Sequence, residues 1–361
     1  MTSRLPSAIS LSTALFGFVM LGAVLFGVST TYLMFDMIER VRASALEEAV
    51  NVRGHHAARD FARALEQDWH HLKDIAVQIE RLSDSSKVDA LNQVVGSDQR
   101  ISWAGFAALD GVIQVSSNDV LLGADMSARP WFQRGLAGDF AGDVHEAILL
   151  NKVLGGTEEN PLRFIDLAAK VSGPDGQVAG VLGFHINFAW AEAFIVDTAK
   201  NLELDLYLVN QNGDVIIATD GTKSGPNGGQ IFRAAAAGVA LSDREVWPDG
   251  VTYFSVVIPE VTYGDLPSFG WRLVARINPD AFDLYSANIL RTVLLTLSIA
   301  GSLLLIMTIA FVRIFIKPFA LLADNAMRIA HGADDYPMEL NRTNELARLS
   351  AALALLQGKR G

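Results

Sequence analysis

At 361 residues the chain exceeds what one hydrophobic core usually holds, so two or three domains are expected. A formal net charge of −11 argues against a nucleic-acid partner, and the lack of cysteine excludes disulfides, thiolate chemistry and Cys-ligated zinc. Half the residues are hydrophobic, and the apolar excess sits at the two ends.

The first apolar run, 8–35, is broken only by Ser, Thr, Gly and Tyr; the second, inside 290–315, has no charge from Val293 to Val312. At about 1.5 Å per residue each can cross a hydrocarbon core of about 30 Å. Arg4 precedes the first run and Arg313 and Lys317 follow the second. The positive-inside rule therefore predicts a cytoplasmic N-terminus at 1–7, a cytoplasmic C-terminal segment at 316–361, and 36–285 on the far side. A cleaved signal peptide is the alternative for the first run. Its apolar stretch is too long and no A-x-A site precedes Asp36–Arg42, so an uncleaved anchor is expected.

Asp36 to about Leu82 reads as one long helix. Phe61, Leu65, Leu72, Ile75, Ile79 and Leu82 recur at spacings of three, four or seven and make one apolar stripe. Residues 36–100 are this helix and a linker. From 101 to 202 strands dominate: Ile101–Leu109 and Val112–Ser116 flank Asp110-Gly111, and Arg163–Val171 and Gln177–Phe188 flank Gly173-Pro174-Asp175-Gly176. A helix is predicted from Phe188 to about Leu202. The plan then repeats over 203–278. Leu204–Val209 and Val215–Thr219 form a second hairpin, and Ile231-Phe-Arg-Ala-Ala-Ala-Ala-Gly238 matches Trp131-Phe-Gln-Arg-Gly-Leu-Ala-Gly138. Val251–Ile258 and Phe269–Ile277 are further strands, and Gly221–Gly229 is a flexible connection. Two successive α/β modules are the simplest reading, within an α+β chain. Asn278-Pro279 starts the helix of the second span. Beyond it, Phe319, Leu322, Ala326 and Ile329, then Leu346, Leu349, Leu353 and Leu356, follow 3-4-3 spacing. Asp334, Asp335 and Pro337 lie in the polar connector between them. Two short heptad helices with such a connector want a four-helix bundle in a dimer.

Pro318, Gly332, Asn344-Glu345-Leu346-Ala347 and the two heptad runs resemble a HAMP domain. Asn344 and Ala347 stand where that family has Asp and Gly. Residues 36–285 resemble a double Cache (tandem PAS-like) sensor domain, on the long helix, the repeated module, Arg129-x-Trp131-Phe132 and Gly180-Val181-Leu182-Gly183. The resemblance implies the receptor part of a chemoreceptor, diguanylate-cyclase or histidine-kinase-like protein in the bacterial inner membrane. Its sensor would be periplasmic and its HAMP domain cytoplasmic. It also implies a small extracytoplasmic ligand in the membrane-distal module (101–202), a homodimer, and a separate cytoplasmic signalling partner or a longer relative that carries the output. In the amino-acid-binding members a tyrosine precedes Arg-x-Trp and an aspartate sits on the last strand; Ala124 and His185 take those places here. Gly142-Asp-Val-His-Glu146 and Arg163-Phe-Ile-Asp166 are similar to another Cache subgroup, often joined to diguanylate cyclases.

The residues themselves mark the same module. Arg129 offers a planar fork for a carboxylate or phosphate, and Trp131 and Phe132 can wall a pocket or face a cation. The second module has Gly229-Gln230-Ile231 in that place. Strand alternation puts Val181, Gly183, His185 and Asn187 on one face, with room beside the glycine for a ligand. Asp166, among apolar neighbours, needs a partner, either Arg129 or a ligand amine. Asp143, His145 and Glu146 line the rim or cap locally. The candidate ligand set is therefore Arg129, Trp131, Phe132, Asp143, His145, Glu146, Asp166, His185 and Asn187, for an organic acid or an amine. No spacing matches a zinc motif, and His55-His56 and His70-His71 read as a solvated helix face. No nucleophile elbow or phosphate loop is present, so neither catalysis nor a cofactor is expected. A membrane-anchored binding or adaptor protein without inward signalling is the alternative function.

Overall fold

The computed structural model describes residues 10–96, 100–157, 161–222, 229–278, 283–333, 336 and 338–358. The predicted helix start at Asn278-Pro279 runs into residues outside this set, as do most of Gly221–Gly229 and the connector residues Asp334, Asp335 and Pro337. The chain is α+β and divides into two units, 42–281 and the two ends together.

In the larger unit, the long helix α1 (Leu11–Gln78) supplies Phe61, Leu65, Trp69 and Leu72 to the core, and a short 3₁₀ turn places Ile79 there too. These include most of the predicted stripe; Ile75 and Leu82 are half-buried. A second helix, α2 (Asp84–Gly96), follows where only a linker was expected.

The first module holds β1 (Ile101–Ala108), β2 (Ile113–Ser116), α3 (Pro130–Ala137), β3 (Phe140–Glu146), α4 (Ile148–Val153), β4 (Arg163–Ser172), β5 (Val178–Asn187) and α5 (Phe188–Leu202). The second holds β6 (Asp205–Val209), β7 (Val215–Ala218), α6 (Gln230–Ala237), β8 (Leu241–Val246), β9 (Thr252–Ile258) and β10 (Arg272–Ile277). Each forms an antiparallel five-stranded sheet, ordered β2-β1-β5-β4-β3 and β7-β6-β10-β9-β8. Strands β3 and β8 are the edges that sequence patterning missed.

The hairpin signal at Asp110-Gly111 has a local cause. The Asp110 carboxylate accepts from Val112 N at 3.0 Å, and Gly111 adopts φ +82°, a region that favours glycine. In the first module α3 packs against β4 and β5, with Trp131, Phe132, Phe164 and Val181 in one cluster. Phe184 and Ile186 alternate onto the opposite face and are equally buried.

The smaller unit contains the first 31 described helical residues of α1 up to Val41, α7 (Asp283–Phe311), a π turn (Val312–Ile316), α8 (Lys317–Ala330) and α9 (Asn344–Gly358). Two helices, Leu11–Arg81 and Arg291–Ala330, contain stretches long and apolar enough to cross a membrane. Between α8 and α9, Met338 is held from both sides. Its N–H donates to Asn325 Oδ1 at 3.2 Å and its carbonyl accepts from Ser350 Oγ at 2.5 Å. Leu322 and Leu346 are buried, whereas Leu349 and Leu356 are exposed in the single chain.

Candidate functional site

A cavity of about 350 Å³ opens in the first module, between α3, β3, α4 and the sheet. Seven of the nine predicted residues line it: Arg129, Trp131, Asp143, His145, Glu146, Asp166 and His185. Leu121, Met126, Arg134, Phe140, Leu149 and Leu150 are also in the wall, none of them anticipated.

Strand register builds the inner end. Asp166 and His185 are directly opposite on β4 and β5, and Trp103 is opposite His185 on β1. Asp166 Oδ1 lies 2.6 Å from His185 Nδ1, and both side chains are more than nine-tenths buried. The approach is too oblique for an aligned hydrogen bond, and neither atom finds another hydrogen-bond partner among the described residues. His145 Nε2 stands 3.7 Å from the other oxygen, Asp166 Oδ2. The His185 ring is boxed by Trp103 at 5.0 Å, Phe164 at 5.9 Å and Trp131 at 6.3 Å between ring centres. Of the partners expected for Asp166, Arg129 is not the one beside it. Cross-strand neighbours sit close enough for contact, and the register gives that place to His185.

Trp131 reaches this end because β5 carries glycine where the indole crosses it. A Cβ built on Gly183 would meet the Trp131 ring at 2.8 Å. At the other end Arg129 occupies the position before α3, with extended backbone. Its side chain is exposed, and no carboxylate or carbonyl among the described residues bonds it. Arg134, one turn further along α3, lies over the Phe140 ring at 5.5 Å.

Asp143 faces the cavity from β3 but is already engaged. Its Oδ1 accepts from Trp271 Nε1 at 2.7 Å and its Oδ2 from Asn210 Nδ2 at 3.2 Å, both in the second module. Val144 N also donates to Oδ1. Two predicted residues stand elsewhere. Phe132 is buried behind Trp131, edge-on at 6.0 Å, as part of the core. Asn187 caps α5, its Oδ1 accepting from Ala189 N at 3.0 Å, a bond worth about 1 kcal/mol at such positions. An Asn immediately before a helical run is a capping signal the sequence did contain.

A second cluster of ligand-type side chains lies on the surface. His70 Nε2 is 3.0 Å from Glu66 Oε1 and 3.2 Å from Asp265 Oδ1. The hydrogen bond to Glu66 holds the His70 pKa above its ordinary value, opposed by desolvation and aided by the charges of Asp265, Glu66 and Asp74. The imidazole Nε2 stands between two carboxylates.

No protein-family model matches the chain, and no curated protein matches it. Solved structures resemble it at low identity. An extracellular ligand binding receptor from Desulfohalobium retbaense DSM5692 is 13% identical, with TM-score 0.48 over 63% of this chain and 40% of its own. The ligand-binding domain of the Pseudomonas aeruginosa PAO1 amino acid chemoreceptor PctC, in complex with GABA, is 16% identical, with TM-score 0.48 over 64% of this chain and 99% of its own. That of the Pseudomonas fluorescens chemoreceptor CtaA, with L-leucine, is 17% identical, with TM-score 0.47 over 66% of this chain and 97% of its own. The chain thus spans about two-fifths of the first of these proteins and nearly all of the other two domains.

Proposed function

We propose that the chain is a transmembrane receptor that senses a small extracytoplasmic molecule in the first-module cavity. In this reading 8–35 and 290–315 span the membrane. Residues 36–285 are the double Cache sensor, with 101–202 the membrane-distal and 203–278 the membrane-proximal module, and 316–361 are a cytoplasmic HAMP domain working in a homodimer. Ligand binding shifts the balance between two arrangements of the second span and the HAMP helices.

One observation carries the reading. A cavity of about 350 Å³ has an unpaired guanidinium at its mouth and a buried Asp166–His185 pair at its inner end, with aromatic walls between. A concave, mostly apolar site with a few convergent polar groups is what a small ligand needs. Arg129 suits a carboxylate or similar anion, and Asp166 with its two histidines suits an amine or hydroxyl.

The test is a thermal-shift screen of a purified 37–288 fragment against organic acids, amines, amino acids and nucleobases. Arg129→Ala should weaken any hit about tenfold to a hundredfold, the loss of one charge-assisted contact. Because Arg129 is exposed, the same variant should change stability by less than about 0.5 kcal/mol. Unchanged affinity in a folded variant would move the site elsewhere. Relay is tested separately, through cysteines placed at Leu349 and Leu353 in the full chain. A crosslinking pattern indifferent to a proven ligand would favour a binding protein without inward signalling.

A further inference from the structure

The second module holds a buried cation with partly buried carboxylate partners that the sensing role does not use. Arg276 on β10 is 6% exposed. Its guanidinium carbon lies 4.0 Å from the centre of the Tyr253 ring, 4.2 Å from Trp247 and 5.5 Å from Tyr207. Arg276 Nε donates to Asp205 at 2.8 Å, and a terminal nitrogen donates to Asp220 at 3.2 Å. The rings are themselves fixed. Tyr207 Oη donates to Asp220 at 2.7 Å, Tyr253 Oη to Asp249 at 2.9 Å, and Trp247 Nε1 to Ser255 Oγ at 3.3 Å. Three aromatic faces and two carboxylates around one cation are the composition of a cation-binding site. A leucine would fill the same space without the cost of desolvating a guanidinium.

Strand register shows what this cage corresponds to. Each module's hairpin ladder is interrupted once, between Phe106 and Ala107 in β1 and between Leu208 and Val209 in β6. Counting from that break, Trp103 corresponds to Asp205, His185 to Arg276 and Asp166 to Ser255. His185 borders an open cavity in the first module. Arg276 stands at the same register position in the second and points its own cation into the cage.

We propose that Arg276 is a built-in ligand of the second module: its guanidinium occupies a small-cation site formed by Tyr207, Trp247, Tyr253, Asp205 and Asp220. The site is of the planar, guanidinium-type class, and it is closed to external ligands while the side chain is seated. This assignment is independent of what the first-module cavity binds.

Chemical rescue of the full-length protein in detergent tests it. Arg276→Ala is titrated with millimolar ethylguanidinium chloride against matched sodium chloride, and melting is followed by tryptophan fluorescence. The variant should melt below the wild type and regain about 2–4 °C with ethylguanidinium, while the wild type gains nothing beyond the salt control. No gain in the variant, or an equal gain in the wild type, overturns the proposal. In case the single variant fails to fold, Arg276→Ala with Asp205→Asn leaves one less stranded carboxylate and is read by the same criterion.

Discussion

The two modules share a strand order, a single break in the hairpin ladder, and a short helix followed by glycine, Gly138 in one and Gly238 in the other. They differ in what stands at matching positions. Gly105 and Gly183 in the first correspond by register to Tyr207 and Val274 in the second. The glycines let the Trp103 and Trp131 rings lie across the sheet. Tyr207 and Val274 instead are part of an aromatic cluster with Trp247 and Tyr253. The shared frame therefore holds different side chains at matched positions: two glycines under indole rings and His185 in the first module, Tyr207, Val274 and Arg276 in the second.

That contrast can be broken at its buried polar centre first. Asp166→Ala should cost about 2–3 kcal/mol, since it removes the nearest polar neighbour of the buried His185 Nδ1, whereas Ser255→Ala at the matching position should cost about 1 kcal/mol. Urea unfolding of the two variants measures the gap, and similar losses would mean the Asp166–His185 contact contributes no more than an ordinary hydroxyl. Next, Gly183→Val gives the first module the side-chain class found at Val274. A branched side chain where a Cβ alone would meet the Trp131 ring at 2.8 Å should cost about 1–3 kcal/mol and displace Trp131, visible in near-UV circular dichroism. An unchanged spectrum would show that glycine is not what admits the indole.

The link between modules comes third. Asp143→Ala removes the acceptor of Trp271 Nε1 and Asn210 Nδ2 and should cost about 1–3 kcal/mol. Hydrogen exchange should quicken in both modules; quickening in the first alone would show that Trp271 finds another partner. The smallest effect is expected at His70. Its folded pKa is raised above 6.5, so its ion pairs stabilise fully below that value and the contribution fades as pH rises through the folded pKa. His70→Gln should therefore lower the melting temperature slightly at about pH 6 and not at about pH 9, and a difference that persists in base would contradict the assignment.

The two long apolar helices, the buried stripe of α1, the hairpins and α5 were readable because each rests on local chemistry: unbroken apolar runs, 3-4 spacing, Asp-Gly turns. The edge strands β3 and β8 were not. In Leu241–Val246 half-buried and exposed positions alternate through Asp243 and Glu245, which gives no apolar signature. Gly142-Asp-Val-His-Glu146 likewise reads as a loop until it pairs with β4. The cavity-lining residues followed the same rule. Arg129 and Trp131 stood out through their own sequence neighbourhood. The Asp166–His185 contact depends on the register of the β4–β5 hairpin, and the Trp103 ring against His185 on pairing between β1 and β5, far apart in the chain; no single strand encodes either. Arg276 was invisible for a related reason, since its meaning comes from three rings supplied by β6, β9 and the segment after β8.

Asp143 has a consequence for how the cavity could be heard at a distance. Trp271, its indole partner, stacks on Phe269 at 4.2 Å and on Phe61 at 6.0 Å, and Phe61 belongs to α1, the helix that begins at Leu11. A group entering the cavity and drawing on that carboxylate would loosen the indole's hydrogen bond, changing Trp271 emission without touching the ring. Were a ligand there coupled to the Phe61–Trp271 stack, linkage would make the coupling reciprocal, so that a partner shifting the stack from the helix side would change ligand affinity by the same factor.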